Sequence, residues 1–310
     1  MTANKKPLTS REVIETFDLE LINQKADLDL DRIVRGAAIN RAGLELMGFA
    51  NAHQEAHIIG WGTKENDWLK KIGPQKAVQA LGNVLSTQTP LVILSSGVKG
   101  QSLRWIIEQS NRFKIPVSQV KHHLSGVIST IGLYLATYFA PSQSVHGSLM
   151  IVNGVGVLIT GKSGIGKSEA VLELIQNGHL FISDDTVIVK RIGRQIIGES
   201  APITSGILEA RGIGLVDIGH VYGFKVVKES TTIDFVVELV VPDSLQKFDR
   251  LGTQNLRYEV LQTTLPKVKI PIYQGRSSAT LIEAAANVYL AKKDGINPLE
   301  TITKRQKGEH

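Results

Sequence analysis

No cysteine occurs among the 310 residues, which excludes a disulfide framework, a thiolate zinc site, an iron–sulfur cluster and a cysteine nucleophile. That absence fits a reducing compartment, and the expected location is the cytoplasm. Aromatic residues make up only 5% and are scattered, so the stacking platforms of a nucleic-acid surface are missing. Neither sign of charge dominates: residues 1–128 carry 16 basic and 12 acidic side chains, and residues 129–310 carry 19 and 17. The basic cluster of Lys292, Lys293, Lys304, Arg305 and Lys307 reads as a solvated end. No nucleic-acid partner is expected. The opening Met-Thr-Ala-Asn-Lys-Lys-Pro has no apolar stretch behind it, so no secretory signal is expected. Leu124 to Val145 is free of formal charge but is interrupted by Ser, Thr, Tyr, Pro141 and Gln143. It reads as a buried helix, and no membrane partner is expected.

The length suits two domains, placed at 1–128 and 129–310. In the first, residues 1–10 read as a loose leader. Pro90 to Ser95 is a compact apolar run ending at Ser96-Gly97, a buried strand. A helix over Leu103 to Gln109 and a strand entering at Ile115-Pro116-Val117 make this an α/β domain. In the second, Asn153-Gly154 between two β-rich runs signals a hairpin. A helix follows over about 167–177. Further β-rich runs cover 179–192, 195–199, 224–229, 232–241 and 267–273, and a closing helix covers 277–292.

Gly161-Lys162-Ser163-Gly164-Ile165-Gly166-Lys167-Ser168 fits the phosphate-loop pattern at every defined position. An apolar strand, Val155 to Thr160, runs into it and a helix runs out. Glycines permit the positive φ values that turn successive N–H groups toward phosphate oxygens, and the helix N-terminus adds partial positive charge. In this pattern Lys167 reaches the β- and γ-phosphates and the Ser168 hydroxyl binds Mg²⁺. If the hairpin turn has two residues, Val152 faces Val155, and the same register carried back puts His146 opposite Gly161.

Leu180 to Ser183 is an apolar run ending in Asp184-Asp185, which resembles a Walker-B strand. Neighbouring strand residues point to opposite faces, so one carboxylate would face the nucleotide. It would hold Mg²⁺ or orient water in a hydrolase, and accept a hydroxyl proton in a protein kinase. Glu209-Ala210-Arg211-Gly212-Ile213-Gly214, Asp249-Arg250-Leu251-Gly252 and Pro271 to Arg276 each combine glycine with arginine and are weak signals alone. His53 and His57 lack the Glu of a zinc-protease motif and read as a solvated helix face.

Taken in order, His146, the loop 161–168, Asp184-Asp185, Glu209 to Gly214, Asp249 to Gly252 and Pro271 to Arg276 resemble bacterial HPr kinase/phosphorylases. The resemblance is specific over 129–295 and looser in the first domain, mainly at Arg41 to Gly48. It implies a C-terminal P-loop kinase domain related to phosphoenolpyruvate carboxykinases, an N-terminal α/β domain and a homohexamer. It implies ATP-dependent phosphorylation of a serine of the phosphocarrier HPr, and removal of that group by inorganic phosphate to give pyrophosphate. By this route the enzyme would regulate sugar uptake and carbon metabolism. The resemblance also assigns roles: Gly161 to Ser168 bind ATP or phosphate, and Ser168 and Glu209 hold Mg²⁺, or Mn²⁺ in its place. Asp185 is the acid/base, Lys167 neutralises the transferred group, and His146 and Arg250 are active-site residues. Two departures stand out: Ala210 occupies an isoleucine position of the family signature, and residues 53–57 differ from the family's usual ones.

Another P-loop ATPase or small-molecule kinase is the alternative; no guanine-specificity motif follows the loop. A nucleotide-gated binding protein is a third reading, disfavoured because binding alone needs no acid/base.

Overall fold

The structure, a computed structural model, describes residues 6–23, 27–41, 43–48, 57–86, 89–121, 124–242, 255–273 and 275–296. The chain divides into two compact units, residues 3–140 and 141–310, with residues 1–2 grouped with the second. The division falls at 140/141 and not at the expected 128/129, because residue 128 lies inside a continuous helix, Leu124–Tyr138, that stays with the first unit.

The first unit opens with α1 (Ser10–Thr16). Its start is set by a capping box in which the Thr9 hydroxyl accepts from Glu12 N–H and the Glu12 carboxylate accepts from Thr9 N–H. The Thr9 backbone bond, first among several contacts, holds the Glu12 carboxyl below its usual value. Leu8 is buried and Thr9 bridges to Ile33, so the end of the expected loose leader is packed. There follow β1 (Ile39–Asn40), α2 (Gly43–Leu46), β2 (Ile58–Trp61), α3 (Thr63–Ile72), α4 (Pro74–Leu85), β3 (Val92–Ser95), α5 (Gln101–Arg112), β4 (Val117–Val120) and α6 (Leu124–Tyr138). The four strands form a parallel sheet in the order β1-β2-β3-β4. Its faces are covered by two apolar clusters, one with α3, α4 and α5 and the other with α1 and α6. Burial on both faces explains why Leu91 to Leu94 is continuously apolar. The α6 helix buries Leu124, Ile131 and Leu135 and exposes a mostly polar side. No helix among the described residues is long and apolar enough to cross a membrane.

The second unit contains β5 (Ser142–His146), β6 (Ser148–Val152), β7 (Val155–Gly161), α7 (Lys167–Gln176), β8 (Leu180–Ser183), β9 (Thr186–Ile192), β10 (Gln195–Ser200), β11 (Ile207–Ala210), β12 (Gly214–Asp217), α8 (Ile218–Tyr222), β13 (Ser230–Thr232), β14 (Phe235–Val240), β15 (Leu256–Val260), β16 (Thr263–Pro271) and α9 (Ser278–Lys293). Six strands form a mixed sheet, β15-β16-β14-β7-β6-β8, and four form a second, β13-β10-β9-β5. Alternation along β14 separates two cores: Phe235, Val237 and Leu239 join a cluster with α7 and α9, and Val236 joins one with Val187, Val189 and Ile196 of the second sheet. The expected strand over 224–229 is instead a 3₁₀ turn over Phe224–Val226. Gly223, at φ +93°, redirects the chain there. The run 179–192 is two strands in different sheets, divided by a turn at Asp184-Asp185.

Candidate functional site

The hairpin register holds at its tip, where Val152 pairs with Val155, and continues to Ser148 opposite Ile159. Asn153 and Gly154 both have positive φ, as a tight primed turn requires. The register does not continue to His146. The chain leaves β7 at Gly147, where a Cβ would lie 2.6 Å from Ile159 O, and His146 pairs with Thr186 in the other sheet. Even so, the imidazole reaches the phosphate loop: His146 Nε2 is 3.1 Å from Lys167 Nζ. The backbone crossover therefore delivers what strand pairing does not.

The loop itself runs from the end of β7 into α7. Gly161, Gly164 and Gly166 have φ of +147°, +74° and +104°. Gly166 caps α7 with no side-chain hydrogen bond to the first-turn N–H groups. Those donors, with the helix dipole, make an anion site. Lys167 is buried, and its ammonium donates to Gly161 O at 3.1 Å and Lys162 O at 3.3 Å.

The two aspartates lie just past β8. Asp185 takes a left-handed φ of +64°, a strained value for a non-glycine residue and of the kind that clusters at functional sites. The alternation expected of a strand does not apply in this turn. Asp184 is 3% exposed, and its carboxylate accepts from Ser148 Oγ at 2.6 Å and Ser168 Oγ at 2.8 Å. The Asp185 side chain is 69% exposed, with Oδ1 3.2 Å from His146 Nδ1. Its carbonyl is pinned by Gly147 N–H at 3.1 Å and lies 3.0 Å from His146 Nδ1. A continuous chain of contacts thus runs Asp185–His146–Lys167–loop. Beside it stands a pair of oxygen donors, Ser168 and Asp184.

An ammonium group only donates, so His146 Nε2 must accept from Lys167. The network therefore assigns the ring hydrogen to Nδ1, which donates to Asp185.

Glu209 is exposed on β11, opposite Leu215 of β12. Arg211, in the same hairpin, approaches the loop: a Cβ on Gly164 would lie 3.1 Å from its Nη2. Lys162 and Ser163 are exposed at the loop crest. A cavity of about 1210 Å³ opens beside Gly161 and Lys162, lined also by His146, Glu238, Tyr258 and Lys267. Lys267 Nζ is 3.0 Å from Glu238 Oε2, and burial, then Glu238, raises the Tyr258 hydroxyl above its usual value. Arg250, Asp249 and the rest of 243–254 lie outside the described residues, as do Gln274 and His53 to Ala56. In the sequence Arg211 is a weak signal alone, and Asp184 carries no role of its own beside Asp185. The signal for Asp184 was available in Ser148 and Ser168, but only the fold brings those hydroxyls together.

Two family profiles match the chain: one described as HPr Serine kinase N terminus over residues 8–135, and one as HPr Serine kinase C-terminal domain over 137–306. An HPr kinase/phosphorylase of Mycoplasmopsis pulmonis is 43% identical over 303 residues, covering 97% of this chain and 98% of that one. One of Clostridium tetani is 34% identical over 304 residues, covering 97% of both. A solved structure of the Hpr(Ser) kinase/phosphatase from Coxiella burnetii matches with a TM-score of 0.46 at 30% identity, covering 49% of this chain and 99% of that one.

Proposed function

This chain belongs to the HPr kinase/phosphorylase family, and from that premise we propose that one site runs its phosphoryl transfer in both directions. With ATP, a serine of HPr is phosphorylated. With inorganic phosphate, phosphoserine is returned to serine and pyrophosphate forms. ATP, the donor in one direction, and inorganic phosphate, the acceptor in the other, are cytoplasmic metabolites, so the reaction belongs there. The assembly implied by the family resemblance is a homohexamer, which light scattering of the purified chain would test.

The observation that carries the reading is the contact chain from Asp185 through His146 to Lys167 and the loop. Loop N–H groups and the Lys167 ammonium bind the phosphates and stabilise the charge on the transferred group. The Asp185 carboxylate has acceptor capacity beyond the bond to His146. In the kinase direction it takes the serine proton as the new oxygen–phosphorus bond forms and the bond to the ADP oxygen breaks. In the reverse direction a phosphate oxygen attacks phosphoserine, the serine oxygen leaves, and Asp185 returns the proton. His146 orients the carboxylate and is a positioning residue for it. Arg250 is part of the proposed site on the resemblance alone.

The adjacent Ser168 hydroxyl and Asp184 carboxylate fit the hard oxygen donors that Mg²⁺ prefers. Ser168 and Glu209 would hold the ion, or Mn²⁺, with Asp184 fixing the Ser168 hydroxyl. When bound, the metal supplies charge neutralisation and orientation of phosphate oxygens.

The test is to incubate serine-phosphorylated HPr with the enzyme and inorganic phosphate. Pyrophosphate is the expected product. Release of free phosphate without pyrophosphate would overturn the phosphorolysis half. ATP turnover without transfer to HPr would favour an ordinary ATPase.

A further inference from the structure

We propose that the first unit carries its own binding site for a small organic anion, at the carboxyl ends of its parallel strands. Open parallel sheets place ligands outside those ends. Here a cavity of about 1250 Å³ is lined by the residues that end or follow three successive strands: Gly62 and Thr63 after β2, Ser95 to Gly97 at the end of β3, and Val120 and Lys121 at the end of β4.

Two glycine positions show how tightly donors converge there. A Cβ on Gly97 would lie 2.5 Å from Thr63 Oγ1 and 3.6 Å from Ser95 Oγ. A Cβ on Gly62 would lie 2.9 Å from Arg41 Nη2. A guanidinium and two hydroxyls thus crowd around two glycines whose missing side chains keep the cradle open. Ser95 Oγ is buried without a hydrogen-bond partner among the described residues. A buried hydroxyl in that condition calls for one. Arg41 is only loosely engaged, 3.5 Å from Glu65 Oε2, while that oxygen also accepts from Gly62 N–H at 2.9 Å. The first turn of α3 begins at the same place, with no side-chain cap.

The rest of the lining gives the ligand a body. Phe17, Leu19, Leu124, Val127 and Ile131 make an apolar wall. Among the other charged lining residues, Asp18, Glu20 and Lys121, the Lys121 ammonium lies 3.8 Å from Glu20. Among the described residues that leaves Arg41 as the cation set among the hydroxyls. The ligand class is therefore one anionic head, phosphate or carboxylate, on a compact apolar body.

The three tryptophans, Trp61, Trp68 and Trp105, all lie in this unit, so tryptophan emission reports on it. The full chain carrying Lys167→Ala, which weakens anion binding at the phosphate loop, is titrated with phenyl phosphate, phenylacetate, inorganic phosphate and benzyl alcohol. Saturable changes are expected with the phenyl anions, with the tighter one identifying the head group. Inorganic phosphate should bind more weakly and benzyl alcohol not at all. Adding Arg41→Ala or Thr63→Val should weaken binding about ten-fold or more, and Thr63→Ser should restore it. The site is overturned if neither phenyl anion saturates, if benzyl alcohol matches them, or if the Arg41 and Thr63 variants bind like their parent.

Discussion

Asp185 and Asp184 are neighbours in sequence and opposites in setting. One is exposed in a left-handed turn beside His146, and the other is buried between two serine hydroxyls. They should fail differently. Asp185→Asn keeps the shape and removes the base, so kinase and phosphorolysis rates should each fall by about 10²–10⁴ with an unchanged circular dichroism spectrum. Full activity in either direction would remove the acid/base role. Asp184→Ala strands the buried Ser148 hydroxyl and the half-buried one of Ser168, a cost of about 1–3 kcal/mol, and should lower the melting temperature as well as the rate. Comparing Ser168→Ala with Asp184→Ala by calorimetry separates the two effects, because the serine variant leaves the Ser148 bond intact. The identity of the phosphate loop was legible from residue types alone. The partnership of Asp184 with Ser148 was not, because it depends on a turn and a strand 36 residues apart meeting in space.

Elements tell a similar story. The strand–loop–helix around 155–176 and the tip of the hairpin followed from local pattern, since a two-residue turn fixes register. β15 went unrecognised because its apolar and charged residues alternate over only five positions. The α3–α4 pair also escaped notice, although Gly73 and Pro74 mark the junction between them. His146 was reached by the wrong route because a chain can switch sheets at one glycine without any sign in its hydrophobic pattern. At this scale α7 is tied to α9: Glu283 accepts from Asn177 at 2.8 Å and lies 2.8 Å from His179 Nε2, while Ser277 donates to Glu173. The Asn177 bond first, and then His179, hold the Glu283 carboxyl below the usual glutamate value of 4.5. A depressed folded value means stability that is present above the unfolded pKa and lost as pH falls through the folded one. The melting-temperature gap between parent and Glu283→Gln should therefore be full above pH 4.5 and shrink below it. A gap that widens in acid would contradict the assignment.

Each unit of the whole molecule has its own apolar clusters, and two cores are expected to give two unfolding steps rather than one. Leu174→Ala in the cluster under α7 should cost about 2–5 kcal/mol. It should move the calorimetric transition of the second unit and leave the tryptophan-detected one in place; a single shared shift would show one cooperative block. Parallel strands buried on both faces made the α/β class legible in the first unit. The order of strands was not, since no local pattern records which distant strand a segment will adjoin.

Among the described residues β15 has a strand neighbour on one side only, β16. Among the described residues no strand pairs with its other flank, and Arg257 and Glu259 stand exposed on it. Charges on such a rim deter self-templated stacking of copies into fibrils. Exchanging both for valine would remove these gatekeepers and leave catalysis intact in dilute solution, yet concentrated samples should cloud and bind amyloid dyes.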